Sequence, residues 1–372
     1  MTLAESIGAL RLQERAYSTQ HELLTLLEVD ASELIKCEKR WIEIAQKIGA
    51  INILFSLYGR FTKLLILSGE IQEAEHQLEK AYEVLKNHNE VLRESSYISY
   101  VYRMQSFLHY TQKNVARAIE SQHCREDFLW SDLAWLEMLY RHSNKDNEFR
   151  AFCDKLTGQT HVKQWYLIRA IPESIVWDEE ESFTGHFGQQ WRWVDPLQKG
   201  SYTVENGLEI TPVMGTGVYS NVYVPRLMQE IERDFTIEAV LDYRNGLTKA
   251  GGILVYQDDH TLIRLGVGIQ FDGEITLTVK SPEQGFFITA RGLLDAESII
   301  LRLKREQNRF TAWCSDGYTW YCCGRANVKM QEKIQVGLFA ECTYRDFSLV
   351  RCTATPVRFK EVRVKKISRN FS

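Results

Sequence analysis

The sequence predicts a multidomain α plus β protein, in which an N-terminal α-solenoid-like helical domain precedes an antiparallel β-sandwich. Two observations predict this fold class. All six prolines and seventeen of the twenty-two glycines lie beyond residue 170, and dense turn residues indicate many short elements. The spacing of apolar residues also changes, from a period of about 3.6 in the first half to about 2 in the second. We therefore predict a helical domain over residues 1–168 and a sandwich over residues 175–368.

Length and composition restrict the possible partners. The 372 residues suffice for two domains with separate cores, and the net charge of -4 gives no general attraction to nucleic acid or membranes. Neither is predicted as a partner. We find no secretory leader and no run of about 18 apolar residues that could span a bilayer. The eight cysteines form no CxxC pair, which is typical of reduced thiols, so we expect a cytoplasmic protein.

Helical spacing is clearest in the first half of the chain. Apolar residues form one stripe over residues 41–58 and another over residues 71–85. Before the second stripe, Gly69 is suited to end one helix, and Glu70 with Glu73 favour the start of the next. This pattern predicts a helix hairpin.

The segment SGEIQEAEHQLEKAYEVL resembles the second helix of a tetratricopeptide repeat, with Gly69, Ala74 and Ala81 where two helices pack closely. A weaker copy follows 44 residues later, where Ala118 matches Ala74 but Lys113 replaces the glycine. Because this offset exceeds the usual repeat of about 34 residues, another α-solenoid is an open alternative. The resemblance implies a concave surface that binds a protein or peptide. The other possibility is a helical bundle that only packs on the second domain.

Strand-like alternation begins in the second half. In DFTIEAVLDY, Phe235 and Ile237 share one face while Glu238 and Asp242 share the other, which predicts a half-buried strand with a solvated side. Four pairs of turn residues favour tight hairpins: Asn206-Gly207, Asn245-Gly246, Asp272-Gly273 and Asp316-Gly317. Many short strands joined in this way predict an antiparallel sandwich.

Charged runs and one cysteine pair receive plain structural interpretations. We interpret the acidic run over residues 178–181 as solvated, and the basic residues between Arg358 and Arg369 as protection of an edge strand. Cys322 and Cys323 are adjacent on a predicted strand, so one should fill the core and the other should face outward.

Several segments of the second half appear in a characteristic order: FGQQWRWVDP, SYTVENGLEI, DFTIEAVLDY, AGGILVYQDDHTLIRLGVG, LRLKREQNRFTAWCSDGYTW, VGLFAE and FKEVRV. Together they resemble the concanavalin A-like lectin/glucanase superfamily, specifically a bacterial branch similar to the C-terminal domains of some β-xylosidases. The resemblance covers roughly residues 177–366. It implies a jelly roll of two curved sheets whose concave face binds saccharide.

Saccharide recognition uses flat aromatic faces together with amides, carboxylates and guanidinium groups that meet ring hydroxyls. We predict that these residues bind the ligand: Trp191, Trp193, Tyr219, Tyr256, Gln257, Asp258, Arg264 and Trp313. Trp313 points away from the apolar side of its strand, so it should be exposed or in a groove. Tyr256 and Asp258 point opposite to Gln257 unless a bulge intervenes. Structural packing is the alternative role for each residue.

Catalysis has one candidate in the sequence. Glu230, Glu232 and Asp234 alternate and could share a face, and a retaining glycosidase needs two carboxylates about 5 to 5.5 Å apart. The glucanase pattern Glu-x-Asp-x-x-Glu is absent from residues 175–368, and the phosphate-loop, GxSxG and HExxH motifs are absent from the whole sequence.

We therefore predict a non-catalytic binding protein without catalytic residues, cofactor or metal. Its sandwich binds a saccharide or glycosylated ligand, and its helical domain binds a protein or peptide. The alternatives are a purely protein-binding regulatory or assembly factor, and a glucanase-type glycoside hydrolase.

Overall fold

The structure is a computed structural model of the chain. It describes residues 9–17, 20, 31–88, 92, 96–124, 130–155, 167–213, 216, 223–243, 250–268, 274–342 and 356–367. The chain divides into two compact units, one built mainly from residues up to Asp146 and one mainly from those after it. A helical part followed by two antiparallel sheets confirms the predicted fold class. The exact domain limits stay a prediction.

The helices occupy the first part of the chain. Residues 9–17 are helical, and the helices that follow are α1 Ala31–Ile48, α2 Ile51–Leu67, α3 Ile71–Asn87, α4 Ser96–Thr111, α5 Val115–His123, α6 Trp130–His142 and α7 Asp146–Lys155. α2 packs against α1, α3 and α4. It therefore buries residues on most of its circumference, including Leu54, Phe55, Leu57, Tyr58, Phe61, Leu65 and Ile66.

Left-handed residues set the helix boundaries. The stripe over residues 41–58 is divided between α1 and α2, because Gly49 adopts a φ of 65° and ends α1. Gly69, with a φ of 79°, follows the end of α2, and α3 begins at Ile71. The predicted helix hairpin is therefore confirmed. Glycine suits both turns because it lacks the Cβ that makes positive φ unfavourable.

Four helix ends share one hydrogen-bond pattern. At the end of α2, Gly69 N donates to Ile66 O at 3.1 Å and Glu70 N donates to Leu65 O at 2.9 Å. The same pattern of donation to the third and fifth preceding carbonyls recurs where the left-handed residue is Gly49, Lys113 or Asn144. Lys113 thus takes the conformation of the glycine it replaces, with a φ of 61°. Helix pairs recur, while their assignment to tetratricopeptide repeats stays a prediction.

The strands form two antiparallel sheets. In chain order they are β1 Ile168–Arg169, β2 Glu179–Glu181, β3 Arg192–Val194, β4 Ser201–Val204, β5 Leu208–Thr211, β6 Arg226–Glu232, β7 Asp234–Asp242, β8 Ala250–Asp258, β9 Thr261–Val267, β10 Ile275–Ser281, β11 Gly285–Gly292, β12 Ser298–Glu306, β13 Arg309–Ser315, β14 Trp320–Asn327, β15 Lys333–Glu341 and β16 Val357–Ile367. Sheet A has the order β1-β14-β13-β12-β7-β16-β5-β4, with β2 also paired to β16. Sheet B has the order β11-β10-β9-β8-β15-β6-β3.

The inner faces of the two sheets enclose one apolar core. Its members come from both sheets and include Ile237, Leu241, Leu301, Phe310, Val255, Leu265, Leu277 and Val336. The side of each sheet that faces away from this core is called its outer face below. Cys323 lies in the core and Cys322 is half-buried on the other side of β14, which confirms the interpretation of that pair.

The four predicted turns have different outcomes. Asn206-Gly207 connects β4 to β5 and Asp316-Gly317 connects β13 to β14, and both strand pairs are antiparallel. Asn245-Gly246 and Asp272-Gly273 lie outside the described residues. The strands that flank the last pair, β9 and β10, are neighbours, but β7 and β8 belong to different sheets. A tight hairpin between β7 and β8 is therefore wrong.

β7 is not half-buried. Its outer face carries Glu238, which is buried because β7 lies in the middle of sheet A and neighbouring charged side chains cover it. Arg302 Nε donates to Glu238 Oε2 at 2.7 Å, and Arg363 Nη1 lies 3.4 Å from Glu238 Oε1. The solvated face predicted for this strand is therefore wrong.

The acidic and basic runs meet each other. β2, which lies in the acidic run, pairs with β16, so the acidic side chains lie beside the basic ones. Lys365 Nζ donates to Asp178 Oδ1 at 2.6 Å, and Arg363 Nε lies 3.8 Å from Glu180 Oε2. β16 lies between β7 and β5, so its interpretation as an edge strand is wrong. The basic residues serve pairing within the sheet.

Candidate functional site

The predicted ligand-binding residues do not form one site. Trp191 is 5% exposed and lies in the core between the sheets, and Trp193 is half-buried against that core. Trp193 also packs on Tyr202, with ring centroids 4.6 Å apart. Both tryptophans therefore cover the edge of the sandwich where β3 and β4 lie. Tyr219 lies outside the described residues.

The group around Tyr256 is divided by a bulge. The pairing of β8 with β9 shifts register between Tyr256 and Asp258, so the bulge considered for Gln257 is present. Asp258 Oδ1 accepts from His260 N at 2.8 Å, which holds the turn after β8, and Gln257 Oε1 accepts from Gln331 N at 2.8 Å. Both side chains thus form structural hydrogen bonds in this region.

Tyr256 itself lies on the outer face of sheet B. Its ring receives the Arg226 guanidinium at 4.7 Å from the centroid, and its hydroxyl donates to Asp259 Oδ1 at 2.8 Å. Burial, followed by the hydrogen bond to Asp259, raises the pKa of Tyr256 to about 12. The phenol is therefore neutral at physiological pH and serves as a hydrogen-bond donor.

Trp313 lies on the outer face of sheet A. Phe310, Ala312 and Cys314 point into the core and are fully buried, while Trp313 between them is half-buried, as its alternation predicts. In the strand pairing it stands opposite Arg302. It is therefore remote in the fold from Tyr256 and Arg264, which belong to the other sheet.

Arg264 is the largest fully buried side chain in the described parts of the chain. It starts on β9, on the outer face of sheet B, and its Nη1 donates to Glu341 Oε2 on β15 at 2.6 Å. Because β8 lies between β9 and β15, the side chain must cross β8. The Arg264 guanidinium lies 5.7 Å from the centroid of the Phe339 ring.

Two glycines lie beside that crossing. Gly252 on β8 and Gly266 on β9 stand opposite each other in the pairing, on the same outer face. A Cβ on Gly252 would come within 2.3 Å of Leu265 O and 2.6 Å of Gly266 Cα. The glycines thus allow the two strand backbones to approach closely, and Glu341 holds the Arg264 guanidinium on this face.

A second arginine–glutamate pair lies on the same face. Arg291 Nη2 on β11 donates to Glu274 Oε2 at 3.0 Å, and Arg291 Nε lies 2.7 Å from Glu274 Oε1. The four side chains of the two pairs are at most 3% exposed. Between the pairs, β10 presents Thr276 opposite both Gly266 and Arg291.

Two threonine hydroxyls complete this polar surface. Thr276 and Thr278 alternate on β10, and Thr278 stands opposite Arg264. Both hydroxyls are buried and find no hydrogen-bond partner among the described residues. We call the set of Arg264, Glu341, Arg291, Glu274, Thr276 and Thr278 the polar face. The neighbouring part of the same outer face is apolar and consists of Val224, Met228, Leu254, Leu262 and Phe339.

The outer face of sheet A is crossed by residues 171–177, the strap, which runs from β1 to β2. Lys304 Nζ donates to Glu173 Oε1 at 2.6 Å, and Arg302 Nη1 donates to Glu173 O at 3.1 Å. The Arg302 guanidinium lies 5.5 Å from the ring of Trp177 and 4.3 Å from that of Trp320. The strap therefore covers the arginine that binds Glu238.

The three carboxylates considered for glycoside hydrolysis are separated. Glu230 and Glu232 are exposed on β6 of sheet B, whereas Asp234 begins β7 of sheet A. Arg233, between Glu232 and Asp234, adopts a φ of 68° where the chain passes from one sheet to the other. Lys333 Nζ lies 2.7 Å from Glu230 Oε1, and Asp234 Oδ1 accepts from Gln307 N at 2.6 Å. The shared face considered for this triplet is therefore wrong.

Over the described residues, no group of three or more His, Cys, Asp or Glu side chains is arranged to hold a metal ion. None of the helices in the described ranges has the length and apolar character needed to cross a membrane.

Sequence reasoning missed most of the polar face. It selected Arg264 but not Glu341, Glu274, Arg291 or the two threonines. Arg264 and Glu341 are 77 residues apart, so no local spacing connects them. The alternation of Thr276 and Thr278 with Ile275, Leu277 and Val279 was a usable signal for a polar outer side of β10.

Comparisons with known proteins give distant structural similarities. No family model and no curated protein matches the sequence. A GH43 protein from Bacillus licheniformis is 13% identical with a TM-score of 0.41, over 52% of this chain and 41% of that one. The carbohydrate binding module CBM66 from Bacillus subtilis is 15% identical with a TM-score of 0.33, over 48% of this chain and 96% of the module.

The exoplasmic/lumenal domain of VIP36, in a Ca2+/Man3GlcNAc-bound form, is 9% identical with a TM-score of 0.34, over 49% of this chain and 86% of that domain. This chain spans less than half the length of the GH43 protein. At these identities and TM-scores the similarities bear on neither activity nor ligand.

Proposed function

We propose that the sandwich unit is a non-catalytic saccharide-binding module of the concanavalin A-like type, with its ligand on the polar face of sheet B. One observation carries the proposal: two arginine–glutamate pairs and two hydroxyls without partners among the described residues are buried together on the outer side of a sheet. Arginine, glutamate and threonine side chains supply the donors and acceptors that ring hydroxyls need.

Stability alone does not account for such a face. Removing two charges from water costs several kcal/mol per ion, and apolar replacements of buried ion pairs are commonly neutral or stabilising. The adjacent apolar part of the same outer face shows that this sheet can be covered by packing alone. A polar set at one place and an apolar set beside it therefore support recognition of a polar ligand.

The arrangement of the carboxylates supports binding without hydrolysis. Glu341 is engaged by Arg264 and Glu274 by Arg291, at 2.6 and 2.7 Å. A glycosidase needs one carboxyl group that is placed to give a proton to the leaving oxygen, whereas both carboxylates here are engaged by guanidinium donors. Carboxylate oxygens held in this way can also accept hydrogen bonds from ring hydroxyls.

The test replaces both hydroxyls without changing the shape of the face. A Thr276→Val/Thr278→Val protein is titrated calorimetrically with neutral hexasaccharides of xylose, glucose and mannose and with the corresponding monosaccharides. We expect the wild type to bind at least one of these sugars and the double variant to bind it about tenfold more weakly, because two hydrogen bonds are lost.

The matched control is Thr311→Val, a buried threonine on the outer face of sheet A. It should leave saccharide affinity unchanged, and both variants should unfold at the wild-type temperature to within a few degrees. Equal affinity of the double variant and the wild type would reject the polar face as the site. Binding of a protein partner with no response to any sugar would favour the purely protein-binding alternative.

A further inference from the structure

The edge strands β3 of sheet B and β4 of sheet A lie at the same side of the sandwich, where aromatic rings join the two sheets. At this place Trp193 of sheet B packs on Tyr202 of sheet A, with centroids 4.6 Å apart and planes inclined by 51°. Phe187 also packs on Tyr202, with ring centroids 5.5 Å apart. The three rings are partly exposed, Tyr202 by 39%. We call this cluster of three rings the aromatic mouth.

The inner side of β3 continues the mouth in both directions. Trp191 lies in the core and Trp193 packs against it, so both are on the inner side of the sheet. Asp195 directly follows β3, two residues after Trp193. Arg192 pairs with Met228, so the next position of β6, Gln229, stands opposite Trp191. Trp191 and Gln229 are both more than nine-tenths buried.

Several polar atoms here have no hydrogen-bond partner. Among the described residues this holds for Trp191 Nε1, for both Oε1 and Nε2 of Gln229, and for Asp195 Oδ1. Each is a buried atom, and leaving a buried polar group unpaired costs about 1 to 3 kcal/mol. The other carboxylate oxygen of Asp195, Oδ2, accepts a hydrogen bond from Gly200 N at 2.7 Å.

We infer that the aromatic mouth is a second saccharide site, separate from the polar face. The set comprises an indole N–H donor, an amide that both donates and accepts, and a carboxylate acceptor beneath aromatic rings. Neighbouring hydroxyls need this combination of donors and acceptors, and the C–H faces of sugar rings contact aromatic rings. The two sites share a ligand class but no residue.

A proline-rich peptide fits the mouth less well. Its backbone has carbonyl acceptors but no N–H donors, so the Asp195 carboxylate oxygen would find no donor in it. At about 3.3 Å per residue, the step from Trp191 to Asp195 spans at most about 13 Å. This length suits an oligosaccharide of several rings, which places one ring on the aromatic cluster while others meet Gln229 and Asp195.

A Gln229→Leu variant separates binding from structure. If Gln229 serves only the fold, its replacement changes no affinity. If it binds saccharide, the full-length variant should bind the best of the neutral hexasaccharides about tenfold more weakly. The same variant should unfold at an equal or higher temperature, because a buried amide without partners is removed from an apolar surrounding.

A second variant, Tyr202→Ala, removes part of the aromatic cluster from an exposed edge and should weaken hexasaccharide binding about fivefold. Its control is Tyr318→Ala, an almost fully exposed tyrosine in the turn before β14. Monosaccharide affinity at the polar face should not change in either mouth variant.

The outcomes distinguish the two proposals. If Gln229→Leu and Tyr202→Ala bind hexasaccharide more weakly while Thr276→Val/Thr278→Val keeps the wild-type affinity, the result supports the mouth and rejects the polar face. Unchanged hexasaccharide affinity in both mouth variants overturns the inference, whatever the threonine variants do. Binding of a decaproline peptide that is lost in Tyr202→Ala, without any saccharide binding, also overturns it.

Discussion

The outer faces of the two sheets both carry arginine–glutamate pairs, but they differ in what surrounds each pair. On sheet A, Glu238 lies between Arg302 and Arg363, and Arg302 also contacts the strap and the ring of Trp320. On sheet B, Arg264 reaches across β8 to Glu341.

The difference separates a scaffold from a recognition surface. The sheet A network ties strands β7, β12 and β16 and the strap to one another, so its charges serve the fold itself. The sheet B pairs lie beside two threonine hydroxyls without described partners. The same two residue types thus support a structural role on one sheet and a proposed ligand contact on the other.

The largest expected effect comes from Glu341→Ala. It leaves the buried Arg264 without its carboxylate, so we expect the sandwich to lose about 3 to 5 kcal/mol in urea unfolding followed by tryptophan fluorescence. Glu238→Ala on sheet A should cost less, because Arg302 keeps the Glu173 carbonyl and two aromatic rings.

A double variant checks the cause of this loss. Arg264→Met/Glu341→Leu removes both charges together and should recover stability to within about 1 kcal/mol of the wild type. Saccharide binding at the polar face should nevertheless be lost. Equal losses in Glu341→Ala and Glu238→Ala would remove the distinction between the two faces.

A third buried arginine–glutamate pair lies in the helical unit, and there burial and the arginine have opposite effects on the pKa of the glutamate. Glu137 Oε1 lies 3.2 Å from Arg141 Nη1 on α6, and burial raises the pKa of Glu137 to about 7 despite the arginine. A raised pKa in the folded state means that the unfolded chain releases this proton first. Stability should therefore fall as pH rises from 4.5 toward 7.

We expect this fall to be on the order of 2 kcal/mol and to flatten in Glu137→Gln, with unfolding followed by far-UV circular dichroism. The matched control is Glu79→Gln on the exposed side of α3, which should keep the wild-type pH dependence. A wild-type helical unit that gains stability over this pH range would show that Arg141 dominates.

The smallest effect is expected at the rim of sheet A. The hydrogen bond from Lys365, followed by that from Lys366 N, lowers the pKa of Asp178 below its ordinary value of 3.8. Its stabilisation is therefore present above that value and is lost as pH falls through the lowered pKa. Because Asp178 is largely solvated, Asp178→Asn should cost less than about 1 kcal/mol at neutral pH and flatten the acid limb.

High salt provides the accompanying check. Screening should remove most of the difference between Asp178→Asn and wild type, while leaving the loss in Glu341→Ala nearly unchanged, since buried pairs are screened less. A salt-sensitive Glu341→Ala loss would place that pair in contact with solvent.

Local chemistry made much of the fold predictable from sequence. The hairpin at Gly69, the orientation of Trp313 and the opposite placement of Cys322 and Cys323 follow from residue type and period, which are properties of a few neighbouring residues. The position of a strand within its sheet is different. β7 and β16 were misjudged because centrality depends on partners that are distant in the chain.

The candidate site was less predictable for the same reason. Their aromatic side chains made Trp191 and Trp193 candidates, but the neighbouring sequence does not indicate that Gln229 lies opposite Trp191. Arg264 was selected as a possible sugar contact, whereas its glutamate partner follows only from the order β9-β8-β15. Spacing along the chain cannot supply that order.

The late position of β16 in the chain affects synthesis. Strands β2, β5 and β7 all pair with it, although they leave the ribosome more than a hundred residues earlier. Until it emerges, sheet A has an unfilled gap and the apolar inner side of sheet B lacks part of its cover. A nascent chain would thus hold its sandwich open until β16 is made, and chaperones can protect the exposed apolar surface during that interval.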